Sequence, residues 1–161
     1  MHVILLGSGS SMEYMARHFI SGSFEVVLVA PEQQREALEE ALQIPVLTGH
    51  PLDLQTLERA GVREAAALIA MDEKENMNIM CCEIATSIFG LKRAVALIED
   101  PAHKPFLKRR GIMPLCLTDL LIERTLDLLS AEDGEAEPEP ELPRQQPQID
   151  RIQVERREGR A

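Results

Sequence analysis

Glycines 7 and 9 flank a serine and follow an apolar run of Val3, Ile4, Leu5 and Leu6. A glycine loop that ends a strand and opens a helix aims main-chain N–H groups at one point, and a pyrophosphate suits that point. Gly7 would permit the tight turn, and Gly9 would let a phosphate approach the backbone. The full fingerprint is G-x-G-x-x-G, whose last position is here Met12. Met12 is expected to push the following helix outward or to narrow the phosphate space. Ser10 and Glu13 fit an S-x-x-E capping box, with Ser10 as the cap. A self-capped helix keeps fewer N–H groups for a ligand, and Glu13 would place negative charge beside a phosphate. A working clamp and a retained fold element with weak or no binding both stay open.

A carboxylate about 20 residues past such a loop would hold a ribose diol. Ala30 occupies that place and accepts no hydrogen bond. Glu32, two residues on, could substitute as the acid but is expected rather to open the next helix, and Arg35 could meet a 2′-phosphate. His2, His18 and His103 fall on a strand start and two helices, with no serine or cysteine nucleophile signature beside them. Hydride transfer would also need a substrate domain, so catalysis is not expected.

The elements that must hold these residues alternate along the chain. Continuous apolar runs at 3–6, 26–29, 46–48, 66–70, within "RAVALIED" and at 114–117 read as strands covered on both faces. Helices are expected over about 12–19, from Glu32 with an apolar stripe of Ala37, Leu38, Ala41 and Leu42, and within "LDLQTLERAG", closed by Gly61. Further helices are expected over 74–89, from about Pro101, and last with Leu121, Ile122, Leu126 and Leu129, capped by Thr118 or Asp119. Six strands alternating with helices predict an α/β fold, a Rossmann-like doubly wound parallel six-stranded sheet.

Bulk properties narrow the function. The 161 residues carry a formal charge of −10, and a chain without a basic surplus is a poor ligand for nucleic acid. Apolar runs stay short of the roughly 18 residues a membrane span needs, and the start does not read as a signal peptide. Cys81, Cys82 and Cys116 are an odd set without zinc-like spacing, expected as reduced buried thiols. Residues 131–161 change character: "AEDGEAEPEPELP" has six acids, three prolines and no base, so a disordered acidic tail is expected after a domain of residues 1–130. A minority reading makes "IDRIQVERREGRA" a short partner-binding segment.

"MHVILLGSGS", "EVVLVAPE", "PVLTGHPLDLQTLERAGV", "AAALIAMDEKENMNIMCCEIA", "LKRAVALIEDPAHKPFLKRRGI" and "LTDLLIERTLDLL" follow one another in an order that resembles the TrkA N-terminal family. These domains, also called RCK-N or KTN, are cytosolic regulators of potassium channels and transporters. The resemblance spans residues 1–130. It is most specific in "LERAGV…AAALIA" and "IEDPAHKPFLKRRGI", which lie outside the general dinucleotide signature.

The resemblance implies NAD(H), ATP or ADP at the C-terminal edge of the sheet, and the departures from the family pattern make weak or absent binding the expectation. It implies a homodimer or ring beneath an integral membrane channel or transporter, and a cytoplasmic location at the inner face of that membrane. The ligand-facing positions it implies are Gly7, Ser8, Gly9, Ser10, Ser11 and Met12, then Ala30, Gly49, His50, Met71 and Asn78. Gly7, Gly9, Gly49 and Asn78 keep the family pattern, whereas Met12, Ala30, His50 and Leu97 depart from it. The second ligand domain of many members is expected to be missing. Two functions follow: a nucleotide-sensing regulatory subunit, or a ligand-free module that pairs through its last helix.

Overall fold

The computed structural model describes residues 1–130; the expectations for 131–161 lie outside the described residues. Six strands form one parallel sheet: β1 (His2–Gly7), β2 (Glu25–Ala30), β3 (Val46–Thr48), β4 (Ala67–Met71), β5 (Ala94–Ile98) and β6 (Ile112–Cys116). Their order is β3-β2-β1-β4-β5-β6. The helices are α1 (Ser10–Ser21), α2 (Arg35–Leu42), α3 (Leu54–Arg59), α4 (Glu75–Ser87), α5 (Lys104–Arg109) and α6 (Leu117–Ser130). Short 3-10 turns at Glu32–Gln34 and Pro101–His103 lead into α2 and α5.

Parallel strands need crossover helices, and right-handed crossovers from a central strand cover both faces. Side chains of β1 divide accordingly. Val3 and Leu5 join Met12, Ala16, Leu28, Leu38 and Leu42 beneath α1 and α2. Ile4 and Leu6 join Leu57, Leu68, Cys82, Ile98, Leu107 and Ile112 beneath α3, α4 and α5. Both layers are aliphatic, as four Phe, one Tyr and no Trp require.

Boundaries move where local chemistry decides them. Asp53 caps α3 by accepting from the Thr56 N–H at 3.0 Å, so this helix begins two residues into the apolar stretch expected for it. The sixth strand starts at Ile112 rather than 114, and α6 starts at Leu117, ahead of both expected caps. Thr118 instead donates to the Glu99 carbonyl at 2.6 Å, and Asp119 pairs with Lys104. Ala37 of the expected α2 stripe is exposed, while Leu38 and Leu42 carry the contact.

The last helix is the least covered element of the fold. None of its 14 residues is buried. Its apolar side chains, which would ordinarily face a core, stand in the open: Leu121 is 60% exposed and Leu129 79%.

Candidate functional site

The strand order reverses between β1 and β4, whose neighbours lie on opposite sides. In open parallel sheets the crevice outside the carboxyl ends at this switch is where ligands bind. Gly7 pairs in register with Met71 there. Around it stand the loop to α1, Ala30 on β2, Gly49 and His50 after β3, Asp72 after β4, and Leu97 on β5.

The loop is built by backbone geometry. Gly7 has φ +146°, and a Cβ on it would lie 2.7 Å from the Met71 carbonyl oxygen. Gly9 has φ +86°, with nothing within 4 Å of the place a Cβ would take. The first is therefore a packing glycine, whereas the second leaves an open face above the main chain. Gly49 is a close-approach glycine of another kind, because the Thr56 side chain fills the space a Cβ would need.

Two expectations for the loop are corrected. The capping box does not form: Gly9 is the N-cap, Ser10 lies inside α1, and no side chain caps the helix. Glu13 turns along the helix to pair with Arg17 at 2.7 Å. The first intrahelical bond runs from the Glu13 N–H to the Gly9 carbonyl at 3.2 Å. The earlier N–H groups of the helix, those of Ser11 and Met12 among them, point out of the turn, where a helix has no internal partners for them. Met12 does not fill the phosphate space either. It is fully buried in the layer between α1 and the sheet, where its Cε would come within 3.0 Å of a Cβ on Gly7.

The remaining positions are engaged differently from a ligand shell. Asn78 is 2% exposed and spends its amide on the protein. Its Oδ1 accepts from the Asp72 N–H at 2.7 Å, and its Nδ2 donates to the carbonyls of Asp72 at 2.9 Å and Leu97 at 3.0 Å. It thus ties the ends of β4 and β5 together. His50 is exposed, and its Nδ1 accepts from the Leu52 N–H at 3.2 Å, closing the turn before α3. Ala30 is buried at the end of β2, and Glu32 lies beyond it in the 3-10 turn, 3.7 Å from Arg35. Arg35 also pairs with Glu39 at 3.3 Å. No carboxylate waits at the ribose position.

Sequence reasoning missed three residues at this edge. Asp72 and Pro51 line the crevice beside Gly7 and Asn78. Glu75, at the start of α4, accepts from the N–H groups of Glu99 at 2.8 Å and Asp100 at 3.2 Å, and from His103. Burial alone would raise its carboxyl, but these bonds outweigh it and hold the group below its usual value. The signal for Glu75 was its spacing of three from Asn78, which puts both on one helix side.

The crevice between Leu6, Asp72, Asn78 and Cys81 encloses about 10 Å³, room for roughly one water molecule. Cys81 sits at its floor, and burial raises its thiol strongly; Cys82 is pushed up to about 12 by the same cause. Neither is a thiolate at neutral pH. Among the described residues no group of three or more His, Cys, Asp or Glu could hold a metal ion. No helix among them is long and apolar enough to cross a membrane.

An anionic group therefore fits one part of this edge. The uncapped start of α1 and the open face of Gly9 suit a pyrophosphate or terminal phosphate. The ribose end lacks its usual acid, and a ring does not enter between the strands. A ligand would lie along the edge, held mainly by main-chain N–H groups.

Known proteins agree with this architecture. The Trk system potassium uptake protein TrkA of Vibrio alginolyticus is 26% identical over 119 residues, covering 71% of this chain and 26% of that protein. A TrkA of Streptomyces coelicolor is 27% identical over 113 residues, covering 70% of this chain and 51% of its own length. The chain thus spans from about a quarter to about half of these relatives. Among solved structures, the TrkA-N domain of the inner membrane protein ybaL from Escherichia coli superposes with a TM-score of 0.70 at 15% identity, covering 81% of this chain and 96% of that domain. The GsuK channel bound to NAD gives 0.66 at 24% identity over 74% of this chain and 22% of the channel chain. These likenesses show the fold. The family model described as the TrkA-N domain matches residues 3–116, and the chain belongs to that family.

Proposed function

We propose that this chain is the nucleotide-sensing part of a cytoplasmic regulator of potassium transport. It binds an adenine nucleotide, NAD(H), ATP or ADP, across the C-terminal edge of the sheet and acts on an integral membrane channel or transporter. One observation carries the reading: a 12-residue helix opens directly after Gly9 at the switch point with no side-chain cap. The names of its relatives support the potassium assignment, since TrkA proteins belong to a potassium uptake system and GsuK is a channel described in NAD-bound and ADP-bound forms. Gly7, Ser8, Gly9, Ser10 and Ser11 would face the phosphates. Met12, Met71 and Asn78 would shape the edge from beneath rather than touch the ligand.

Thermal melting with NAD⁺, NADH, ADP and ATP at millimolar concentration tests this. A ligand at a hundredfold excess over Kd stabilises by about 2.7 kcal/mol, several degrees for a domain of this size. The shift should vanish in Gly9→Asp, whose carboxylate would sit where the phosphate binds. No shift with any nucleotide overturns the sensing role. Unchanged potassium flux in cells lacking the protein overturns the transport role.

The exposed face of α6 favours a second, compatible role as a pairing module. Seven Leu and Ile side chains between Leu117 and Leu129 are at least 38% exposed. An apolar patch of this kind on a surface helix marks an interface, and a second copy or a homologous domain would cover it. A monomer in sedimentation at micromolar concentration, with the whole chain present, would count against it.

A further inference from the structure

Seven of the twelve Lys and Arg side chains in residues 1–130 gather at the edge of the sheet opposite the crevice. Arg59 ends α3 and Arg63 lies in the connection from it into β4, Lys92 and Arg93 immediately precede β5, and Lys108, Arg109 and Arg110 precede β6. Leu68 pairs in register with Ala94, and Ala94 with Ile112. The three connections therefore lie side by side, with neighbouring strands about 4.8 Å apart.

All seven of these side chains belong to exposed residues, and the connections with the adjoining helix ends offer only Glu58, Glu64 and Glu83 as acids. Arg63 pairs with Glu58 at 3.1 Å and Arg110 with Glu83 at 3.3 Å. Among the described residues no ion pair engages Arg59, Lys92, Arg93, Lys108 or Arg109. The crevice edge carries the reverse charge, with Asp72, Glu73, Glu75, Glu99, Asp100 and Asp119. A domain with an acidic total has thus gathered most of its bases on one edge, away from its candidate phosphate site.

We propose that this basic edge docks the acidic segment 131–143 of the same chain. The segment holds six carboxylates and no base, which is the complement of the edge. Attachment at Ser130 gives it a high effective concentration there, whereas a free polyanion meets a chain of charge −10 and is repelled at a distance. Reach suffices for all six carboxylates when α6 runs back along the sheet, and for the far end of the segment alone when α6 points directly away. That helix, at 14 residues, is about 21 Å long, and β6, at five residues, is about 17 Å. Thirteen extended residues span up to about 45 Å, more than both together. The proposal stands apart from the nucleotide reading and predicts a salt-sensitive self-contact.

The chain has four lysines, and the fold splits them evenly: Lys92 and Lys108 on the basic edge, Lys74 and Lys104 on the crevice edge. Zero-length carbodiimide crosslinking of the full chain, read by mass spectrometry, uses this division. The expected result is crosslinks from 131–143 to Lys92 and Lys108 in excess of those to Lys74. They should disappear in 1 M salt, where screening falls to about 3 Å. They should also disappear when Arg59, Arg93 and Arg109 are changed to Glu, with the melting temperature as the check on folding. A 1:1 mixture of ¹⁴N and ¹⁵N protein should give crosslinks within one isotope only. Crosslinks spread evenly over the exposed lysines, crosslinks between isotopes, or none to Lys92 and Lys108 would each overturn the proposal.

Discussion

Gly7 and Met71 close the gap between β1 and β4 so tightly that a methyl group on Gly7 would collide with the neighbouring main chain, 2.7 Å from the Met71 carbonyl oxygen. Gly9, two residues on, has nothing within 4 Å of the place a Cβ would take. One glycine holds the sheet together, and the other leaves room above it.

Gly7→Ala and Gly9→Ala should therefore separate. The first adds a backbone collision to an unfavourable positive φ and should cost about 3 kcal/mol or more. The second bears only the backbone penalty of its φ +86°, ψ 176° conformation, about 1–3 kcal/mol. Urea midpoints measure both; equal losses would show that the Met71 contact is relieved by a small shift of the strands.

Asn78→Leu, which keeps four side-chain heavy atoms but adds bulk at a buried position, should destabilise strongly. It leaves the Asp72 N–H and the carbonyls of Asp72 and Leu97 without their buried partner. Unsatisfied buried groups cost about 1–3 kcal/mol each, so a total near 3 kcal/mol is expected. A loss below about 1 kcal/mol would mean the clamp contributes little to joining β4 and β5.

Acid should loosen the β5 end of the crevice. The folded carboxyl of Glu75 is held below its usual 4.5, so the unfolded chain binds that proton more readily. Its contribution is present above pH 4.5 and is lost as pH falls through the folded value. Asp53, held down by the Thr56 hydroxyl and N–H, and Asp119, held down by Lys104, shift in the same direction. Melting temperature should decline on acidification below about pH 4.5, and Glu75→Gln should flatten that decline while lowering stability at neutral pH. A variant with the same acid limb as the parent would remove Glu75 from this account.

Leu126→Asp on α6 should barely change domain stability, within about 0.5 kcal/mol, because the parent side chain is already 58% exposed. Self-association, measured by sedimentation, should fall if α6 is a pairing surface. A large loss of stability in the dilute monomer would instead place Leu126 in a core contact.

Much of this architecture was written in the sequence. The runs at 3–6, 26–29 and 66–70 are apolar on consecutive residues, a pattern that suits a strand covered on both faces and little else of that length. Gly61 was readable as the end of α3 because the chain turns there through a left-handed residue, φ +74°. These signals are local, so spacing alone carries them. The family pattern in residues 3–116 was equally visible, because it consists of such local signals kept in order.

What the tertiary structure decided were the directions of side chains and their distant partners. Whether Met12 faces the sheet or the phosphate depends on where α1 begins, and a start at Ser10 rather than 12 rotates each side chain by about 100° per residue. The same shift moves Ser10 inside the helix and dissolves the capping box. Asn78 looked like a ligand contact from its place in a motif, yet one of its three bonds goes to Leu97, 19 residues away. The leucines of α6 have the composition of a core but no core beside them. Hydrophobic periodicity specifies that a face must be covered, and only the packing of the whole chain determines whether that chain covers it.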